Sequence, residues 1–358
     1  MRPFVFEAHI PRTIFGQGTL KQVAAEIERL NCKRVLLITQ DNERQLALAH
    51  QVRDIIGEAN VAGICADAVM HTPEEVTTKA LAYAQSIKAD GLVSLGGGST
   101  VGLAKALAVR TGWPHVAVPT TYAGSEATPV LGETVNGLKT TRSDPKILPN
   151  TIVYDVDLTL SMPAFLTFPS GINALAHCVE ALYSATINPI IEGVGLSGIS
   201  QLWRALLKIK DVPEDVDARA DALGGAWAAG VCLAHVGMGL HHKLCHTLGG
   251  SFGLPHAETH TVVLPHAMGY NYSAAKDAMG KIEHAIGTSE KAPQAFWDFE
   301  KKLGTPTSLK ELGLKKEDLA KAADIASKAQ YPNPAPLDRE KLLRLLENAW
   351  EGNPPEIM

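Results

Sequence analysis

The segment GLVSLGGGSTVGLAKALAV, residues 91–109, indicates the fold of the first part of the chain. Its first five residues form a largely apolar run, which is typical of a strand buried on both faces of a parallel sheet. Three glycines follow, and from Thr100 onward apolar residues recur at helical spacing. A strand, a glycine loop and a helix in this order predict one unit of an α/β fold.

Similar units surround this segment. Strand-like and helix-like segments alternate over the first 155 residues, and the alternation predicts a parallel, doubly wound sheet. A hairpin between Thr128 and Thr141 is expected to turn at Asn136-Gly137. The strands of the sheet are predicted at residues 34–39, 61–66, 91–95, 115–118 and 151–154.

After Asp155 the pattern becomes mostly helical. Because 358 residues exceed the usual size of one core, we expect two domains. The first is an α/β domain of residues 1–158, and the second is an all-helical domain of residues 159–358. The main helices of the second domain are predicted at residues 163–185, 189–209, 216–234, 239–247, 259–279, 293–302, 316–329 and 338–349.

Two loops of the α/β domain are candidates for binding phosphate. The first, Gly96-Gly97-Gly98-Ser99-Thr100, links a strand to a helix, and its glycines let an anion approach the free N–H groups of the helix N-terminus. The second follows the strand at 115–118, and its hydroxyl groups on Thr120, Thr121 and Ser125 could donate to a pyrophosphate or a ribose. Ordinary polar turns are the alternative, since the glycine loop is not GxGxxG and no GKS or GKT of a P-loop follows it.

Histidines are concentrated in the helical domain. Seven of the 13 histidines lie between His235 and His266, and histidine is well suited to proton transfer and metal binding near neutral pH. His242 and His246 are four residues apart, so they share one face of a helix that Gly249-Gly250 is expected to end. A group of ordinary core or surface histidines is the alternative.

Three other positions extend this candidate site. Asn173 and His177 are four residues apart on a predicted helix, and His256 follows a proline in the loop after the histidine-rich helix. Together with His242 they form a constellation of four potential ligands.

The composition argues against several classes of protein. The net charge of −5 and the pI near 6.2 give no reason to expect nucleic-acid or membrane binding. The chain has no run near the ~18 apolar residues of a membrane span, and its N-terminus lacks the apolar region of a signal peptide. The five cysteines are scattered and form no CxxC pair, which favours reduced thiols in the cytoplasm.

Four motifs jointly resemble those of the iron-containing (group III) alcohol dehydrogenase superfamily, over essentially the whole chain. The resemblance implies a Rossmann-like domain, an all-helical domain with the dehydroquinate-synthase-like architecture, and a cleft between them for NADH or NADPH and the substrate. It also implies a homodimer, since members are often dimers or larger. The motifs are GGGST (96–100), PTTYAGSEAT (119–128), SGINALAHCVE (170–180) and GLHHKLCHTLGGSFGLPH (239–256).

Metal-dependent members of this superfamily hold a cation with an Asp, a His four residues later and two further His. These positions match Asn173, His177, His242 and His256. An Asn offers a neutral carbonyl oxygen where an Asp offers a negative charge. We therefore expect no tight binding of iron, although three imidazoles and an amide could still hold zinc weakly.

The Asn, the paired His241-His242 and Lys243 resemble the maleylacetate reductase branch of the superfamily. That resemblance implies metal-independent reduction of the carbon–carbon double bond of maleylacetate, a small dicarboxylate, to 3-oxoadipate with NADH or NADPH. The reaction belongs to bacterial catabolism of resorcinol-type, hydroxyquinol and chlorinated aromatic compounds.

We expect His246 or His242 to donate the proton that this reduction requires. The other groups of the site are expected to bind the substrate carboxylates or the developing oxyanion. These groups are Asn173, His177, His241, Lys243 and His256.

Three positions, compared with the superfamily, concern the cofactor and the substrate. Lys139 matches a cofactor-contacting lysine of the superfamily. Gln40 stands where an Asp that would repel a 2′-phosphate is common, so NADPH is expected to be accepted as well as NADH. Ala335 replaces a basic residue that we expect in the Asn-Pro-Arg-Pro loop of the branch, so other groups must bind the carboxylates if that loop touches substrate.

Three other functions remain open from the sequence. The first is a metal-dependent alcohol or polyol dehydrogenase, with zinc or iron on His177, His242 and His256. The second is a lyase similar to dehydroquinate synthase. The third is a dinucleotide-binding module without catalytic activity.

Overall fold

The fold is described from a computed structural model, which describes residues 3–135, 138–328 and 331–358. The turn expected at Asn136-Gly137 and the side chain of Lys139 lie outside the described part of the chain. The chain forms two compact units, Ala8–Met162 and Pro163–Met358, the second also including the N-terminal residues up to Glu7. The division falls after residue 162, whereas the sequence places it after residue 158.

The first unit is built on a six-stranded sheet in which every pair of neighbouring strands is parallel, in the order β1-β8-β5-β4-β2-β3. This confirms the expected α/β class. A separate antiparallel pair, β6 and β7, lies at the position of the predicted hairpin. The strands are β1 (Arg12–Gly16), β2 (Val35–Ile38), β3 (Val61–Cys65), β4 (Gly91–Gly96), β5 (His115–Pro119), β6 (Val130–Val135), β7 (Leu138–Ser143) and β8 (Thr151–Asp155).

Strand β1 is the element of this sheet that the sequence pattern misses. It lies at the sheet edge and pairs only with β8 among the strands described, and most of its residues are exposed. An edge strand of this kind does not show the continuous apolar run of a strand buried on both faces. β2, β4, β5 and β8 do show it, because every residue in them is buried.

The order of the strands creates a crevice at the carboxyl ends of β2 and β4. From β2 the chain continues outward to β3, and from β4 it continues in the opposite direction to β5. Open parallel sheets bind ligands at such a reversal of strand order. The helices of this unit are α1 (Val23–Arg29), α2 (Glu43–Ile56), α3 (Glu74–Ser86), α4 (Gly98–Thr111) and α5 (Asp157–Leu160).

The second unit is helical, as expected. Its apolar core includes one face of α9 and α10 packed against the C-terminal helices α13 and α14. No single helix among the described residues is long and apolar enough to cross a membrane, although α8 and α9 pass that test as a pair bent by 94°. The helices are α6 (Ala164–Leu182), α7 (Pro189–Asp211), α8 (Val216–His235), α9 (Leu240–Phe252), α10 (His256–Asn271), α11 (Lys276–Ile286), α12 (Ala292–Leu303), α13 (Leu319–Lys328) and α14 (Arg339–Glu351).

Three expectations about these helices were wrong. Helix α9 runs through Gly249-Gly250 and ends at Gly253, whose left-handed φ of 72° closes the last turn. His256 is the first residue of α10 rather than a loop residue, because Pro255 in an extended conformation sets the start of that helix. The helix expected over 259–279 is two helices, α10 and α11, separated by residues 272–275.

Candidate active site

The glycine loop of the first unit lies at the carboxyl end of β4. Gly96 has a φ of 147°, and a Cβ there would lie 2.5 Å from Oγ1 of Thr100. Gly97 packs against the side chain of Thr121. α4 begins at Gly98, so the unpaired N–H groups of its first turn face the crevice end of the sheet and can bind an anion.

The hydroxyl-rich loop lies against the glycine loop. The N–H group of Thr120 donates to the carbonyl of Gly96 over 3.0 Å, and Oγ of Ser125 lies 4.0 Å from the position of a Cβ on Gly98. The structure therefore brings the sequence-predicted residues of the two loops together. They are Gly96, Gly97, Gly98, Ser99, Thr100, Thr120, Thr121 and Ser125.

A buried lysine holds this second loop. Nζ of Lys105 on α4 donates to the carbonyls of Ser125 and Val130 and to Oγ1 of Thr128. Burial lowers the pKa of Lys105 to about 7, and the nearby Glu126 opposes that change. The lysine thus links the helix that starts at the glycine loop to the hydroxyl-rich loop.

Three buried polar atoms near these loops have no hydrogen-bond partner among the described residues. They are Oε1 of Gln45, Oγ1 of Thr100 and Oγ of Ser125. Buried polar groups in folded proteins are almost always paired, so unpaired ones around a glycine loop make it a candidate ligand site. Gln45 was not anticipated from the sequence. It lies at the start of α2, and Nε2 of its side chain donates to Oγ1 of Thr120 over 3.4 Å.

The histidine site of the second unit is formed by α6, α9 and α10. The rings of His177 and His242 stack with centroids 4.8 Å apart. The ring of His260 lies 4.9 Å from those of both His241 and His242 and 4.3 Å from that of His256. The histidines predicted from the sequence therefore do form one cluster, and His260 belongs to it.

Burial sets the charge of this cluster. Loss of solvation lowers the pKa of His177, His242 and His260 well below the usual value, and the neighbouring histidines lower it further. Burial also lowers the pKa of His241. These four imidazoles are therefore neutral near pH 7 in the free protein, so they are not a source of positive charge before an anion binds.

One buried carboxyl group is in contact with the cluster. Oε1 of Glu180 accepts the backbone N–H of His241 over 2.9 Å, and Oε2 accepts that of His242 over 3.2 Å. Oε2 also lies 2.6 Å from Nδ1 of His242. Burial raises the pKa of Glu180, although these backbone N–H donors oppose the rise. Glu180 was missed in the sequence, although it lies on the same helical face as Asn173 and His177.

Five atoms of the cluster point to a ligand because they are buried and unpaired among the described residues. They belong to the side chains of three predicted site residues and of His260. The atoms are Oδ1 of Asn173, Nδ1 of His177, Nε2 of His242 and both ring nitrogens of His260.

The donor set fits a hard divalent cation poorly, although imidazoles are ordinary ligands of zinc. Asn173, His177 and His242 offer only neutral ligand atoms, whereas hard cations are held by carboxylates. Glu180 is not available to them, since its 2.6 Å separation from Nδ1 of His242 is a hydrogen-bond distance. Two atoms that bind the same tetrahedral zinc ion lie roughly 3.3 Å apart, which is farther than the separation of Glu180 and His242.

A second group of possible ligands, His241, Cys245 and His260, lies beside this set. Nε2 of His241 is 2.8 Å from the carbonyl oxygen of His260, so this nitrogen carries a proton and donates it. A protonated nitrogen cannot bind a metal. The second group therefore does not form a ready-made metal site in this state.

The remaining predicted residues lie around the cluster or near the crevice. His246 and His256 are partly buried, and Lys243 is exposed on α9, where its charge lowers the pKa of His242. Gln40 is partly buried just after β2, at the crevice. Ala335 is partly buried and packs against the apolar core of the second unit.

The loop that carries Ala335 contacts the start of the histidine-rich helix. Oδ1 of Asn333 accepts the backbone N–H of Leu240 over 3.2 Å, and Nδ2 of Asn333 donates to the carbonyl of Ala335 over 2.8 Å. The loop thus supports the first turn of α9, which carries His241 and His242.

Known proteins resemble the chain over its full length. The iron-containing alcohol dehydrogenase family matches residues 11–156, and the C-terminal part of the Fe-containing alcohol dehydrogenase family matches residues 167–350. Maleylacetate reductase 1 of Rhodococcus opacus is 51% identical over 99% of this chain and 98% of the relative. Maleylacetate reductase of Burkholderia cepacia is 46% identical over 99% of this chain and 100% of the relative.

A solved structure shows the same fold. The crystal structure of maleylacetate reductase from Agrobacterium tumefaciens superposes with a TM-score of 0.94 at 43% identity, over 99% of this chain and 100% of that chain. The chain is therefore an oxidoreductase that belongs to the iron-containing alcohol dehydrogenase family, in which it groups with the maleylacetate reductases.

Proposed function

We propose that the chain reduces the carbon–carbon double bond of maleylacetate to 3-oxoadipate with NADH or NADPH and without a metal ion. The observation that carries the substrate assignment is the 51% identity to a maleylacetate reductase over nearly the whole chain. The amide of Asn173 supports metal independence, because it stands where metal-dependent members of the superfamily have the carboxylate of an Asp, the ligand that hard cations prefer.

The nucleotide is proposed to bind at the crevice between β2 and β4. The first turn of α4 and the hydroxyl groups of Thr100 and Ser125 would receive its pyrophosphate. Gln40, at the end of β2, would lie near the adenosine ribose. Lys139 is proposed to contact the cofactor on the basis of the family resemblance alone.

The reaction adds one hydride and one proton across the double bond. NADH or NADPH supplies the hydride, which adds to the alkene carbon β to the ketone. The resulting enolate needs hydrogen-bond donors at its oxygen and a proton at its carbon. We propose His246 or His242 as the proton source.

The substrate carries two carboxylates, and the site must bind them. Lys243 supplies a permanent positive charge near His242. We assign substrate or oxyanion binding to Lys243 and to the polar groups around the cluster, namely Asn173, His177, His241 and His256. An anion beside buried neutral imidazoles favours their protonated form, so the substrate itself raises their tendency to take up a proton.

The test is the consumption of NADH with freshly generated maleylacetate after exhaustive dialysis of the enzyme against a chelator. Full activity is expected, and the same sample analysed for metals should contain less than a stoichiometric amount. Activity that disappears on dialysis and returns with zinc or iron would contradict metal independence.

A second candidate function is favoured by one observation. The unpaired atoms of Asn173, His177 and His242 could all turn toward one cation, as in a metal-dependent alcohol or polyol dehydrogenase. Oxidation of diols or alcohols with NAD⁺, dependent on added zinc or iron, would favour this function over the first.

Two properties of the enzyme follow from the proposal as expectations. The five free, buried cysteines and the use of NAD(P)H suit a cytoplasmic enzyme. The family resemblance suggests a homodimer, and light scattering after size-exclusion chromatography measures the mass of the assembly directly.

A further inference from the structure

The first turn of α9 depends on a carboxyl group from another helix. The residue before this helix, Gly239, has no side chain with which to cap it. Glu180 on α6 takes that place, since its two oxygens accept the backbone N–H groups of His241 and His242. A Cβ on Gly239 would lie 3.2 Å from Oε1 of Glu180, so the glycine leaves room for the carboxyl group.

The same carboxyl group contacts the ring of His242. Oε2 of Glu180 and Nδ1 of His242 are 2.6 Å apart, and both side chains are almost completely buried. A carboxylate that accepts two backbone N–H groups at a helix N-terminus is stabilised in its charged form, which only accepts hydrogen bonds. When Glu180 is charged it can only accept a hydrogen bond from Nδ1, so Nδ1 carries the proton and Nε2 of the neutral ring has a lone pair.

The other ring nitrogen of His242 is free to act in the site. Nε2 is buried and has no partner among the described residues. The stacked ring of His177 lies on one side of His242 and the edge of His260 on the other. Rotation of the His242 ring is therefore restricted by its neighbours as well as by the hydrogen bond to Glu180.

We propose that Glu180 is a positioning residue, which holds the proton of His242 on Nδ1 and directs the lone pair of Nε2 into the histidine site. A group in this state accepts a proton but does not donate one. Of the two candidate proton donors, His246 is then the donor and His242 an acceptor. This assignment of roles rests on the proposed function, whereas the position of the proton does not.

The test of the proton position needs no substrate. Protein labelled with ¹⁵N-histidine is examined by long-range ¹H–¹⁵N correlation, and the signals of His242 are assigned by their loss in H242Q. The expected pattern is a protonated Nδ1 and an unprotonated Nε2. A wild-type spectrum with Nε2 protonated would overturn the proposal, even if every variant at Glu180 failed to fold.

The Glu180→Gln variant tests the role of the carboxylate. A glutamine has one accepting oxygen for three donors, so the His242 signals should change to a mixed or reversed tautomer. Turnover should fall by about 10- to 100-fold, the range found when the hydrogen-bond partner of a metal-binding histidine is removed. Binding of NADH, followed by fluorescence, should be unchanged.

Glu300→Gln is a matched control. Glu300 on α12 is as buried as Glu180, and burial raises its pKa well above the usual value. This variant should leave both the His242 signals and the turnover unchanged. An E180Q protein that keeps the wild-type tautomer and turnover would refute the positioning role. Loss of maleylacetate reduction in the wild type would refute only the proposed function, because the nitrogen signals are measured without substrate.

Discussion

The imidazole rings of His177 and His242 stack at 4.8 Å with an angle of 29° between their planes. The two residues come from α6 and α9, and both are buried. Two positive charges at this distance in a buried site would repel each other strongly. The pair therefore holds at most one added proton, which makes the site responsive to the charge of whatever binds beside it.

Replacement of the central histidines should remove turnover. In His242→Ala and His246→Ala, we expect kcat to fall by about 100-fold or more, since the variants lose the proton acceptor and the proton donor respectively. NADH binding should persist, because the glycine loop belongs to the other unit. Steady-state kinetics with maleylacetate and fluorescence titration with NADH measure the two effects. Near-normal turnover in either variant would remove that residue from the mechanism.

The Asn173→Asp variant should create a better metal site. A carboxylate at this position adds a negative charge beside the imidazoles of His177 and His242, so zinc should bind at least about tenfold more tightly. Titration calorimetry with zinc measures the change. Asn188→Asp is the control, because Asn188 caps α7 and an Asp keeps that cap. Equal zinc affinity in N173D and the wild type would show that the four positions do not converge on one cation.

The Gly98→Ala variant tests the anion site of the first unit. The added methyl group meets only ordinary contacts within the protein, the nearest being Cβ of Ala123 at 3.8 Å. It should therefore leave the melting temperature nearly unchanged. The methyl group would occupy the approach to the start of α4, so the Kd for NADH should rise by about tenfold or more. Gly193→Ala is the control, because a Cβ at this position of α7 would meet no other atom within 4 Å. Unchanged NADH affinity in G98A would place the cofactor elsewhere.

The cofactor preference should depend on Gln40. An Asp at this position would repel the 2′-phosphate of NADPH, so Gln40→Asp should lower kcat/KM for NADPH by about tenfold and leave that for NADH nearly unchanged. Gln51→Asp adds the same charge at an exposed position of α2. A similar change in both variants would indicate a general charge effect rather than contact with the ribose.

Stability in acid should depend on His115. Its ring is buried, Nε2 is 2.8 Å from Oγ of Ser94, and burial, assisted by Lys105, lowers the pKa of His115 to about 3. Between this value and the unfolded pKa near 6.5, the unfolded chain binds the extra proton, so stability falls as the pH falls. Over this range, His115 changes the free energy of unfolding by up to about 1.4 kcal/mol per pH unit.

Denaturation of wild type and His115→Gln between about pH 6 and 4 measures this contribution. The stability of the wild type relative to the variant should decrease steadily as the pH is lowered. His266→Gln should behave similarly, because burial lowers the pKa of His266 to about 4. A difference between wild type and H115Q that does not change with pH would contradict a neutral, buried His115.

The sequence by itself determined the classes of both units and much of the candidate site. Continuous apolar runs give buried parallel strands, and the spacing of Asn173 and His177 places both side chains on one face of α6, since local backbone geometry fixes these relations. The motifs around Gly96 and His242 were sufficient to indicate the family. Helix ends were less certain, because Gly249-Gly250 lies within α9 and the left-handed Gly253 ends it.

Only the tertiary structure decided how the chemical groups meet. Glu180 lies three residues after His177, but its role follows from α6 lying against the first turn of α9, a contact between segments about 60 residues apart. The neutrality of the histidines likewise follows from burial in the packed cluster. Sequence spacing specifies which side chains share a face of one helix, whereas desolvation and hydrogen bonding depend on what the rest of the chain packs against that face.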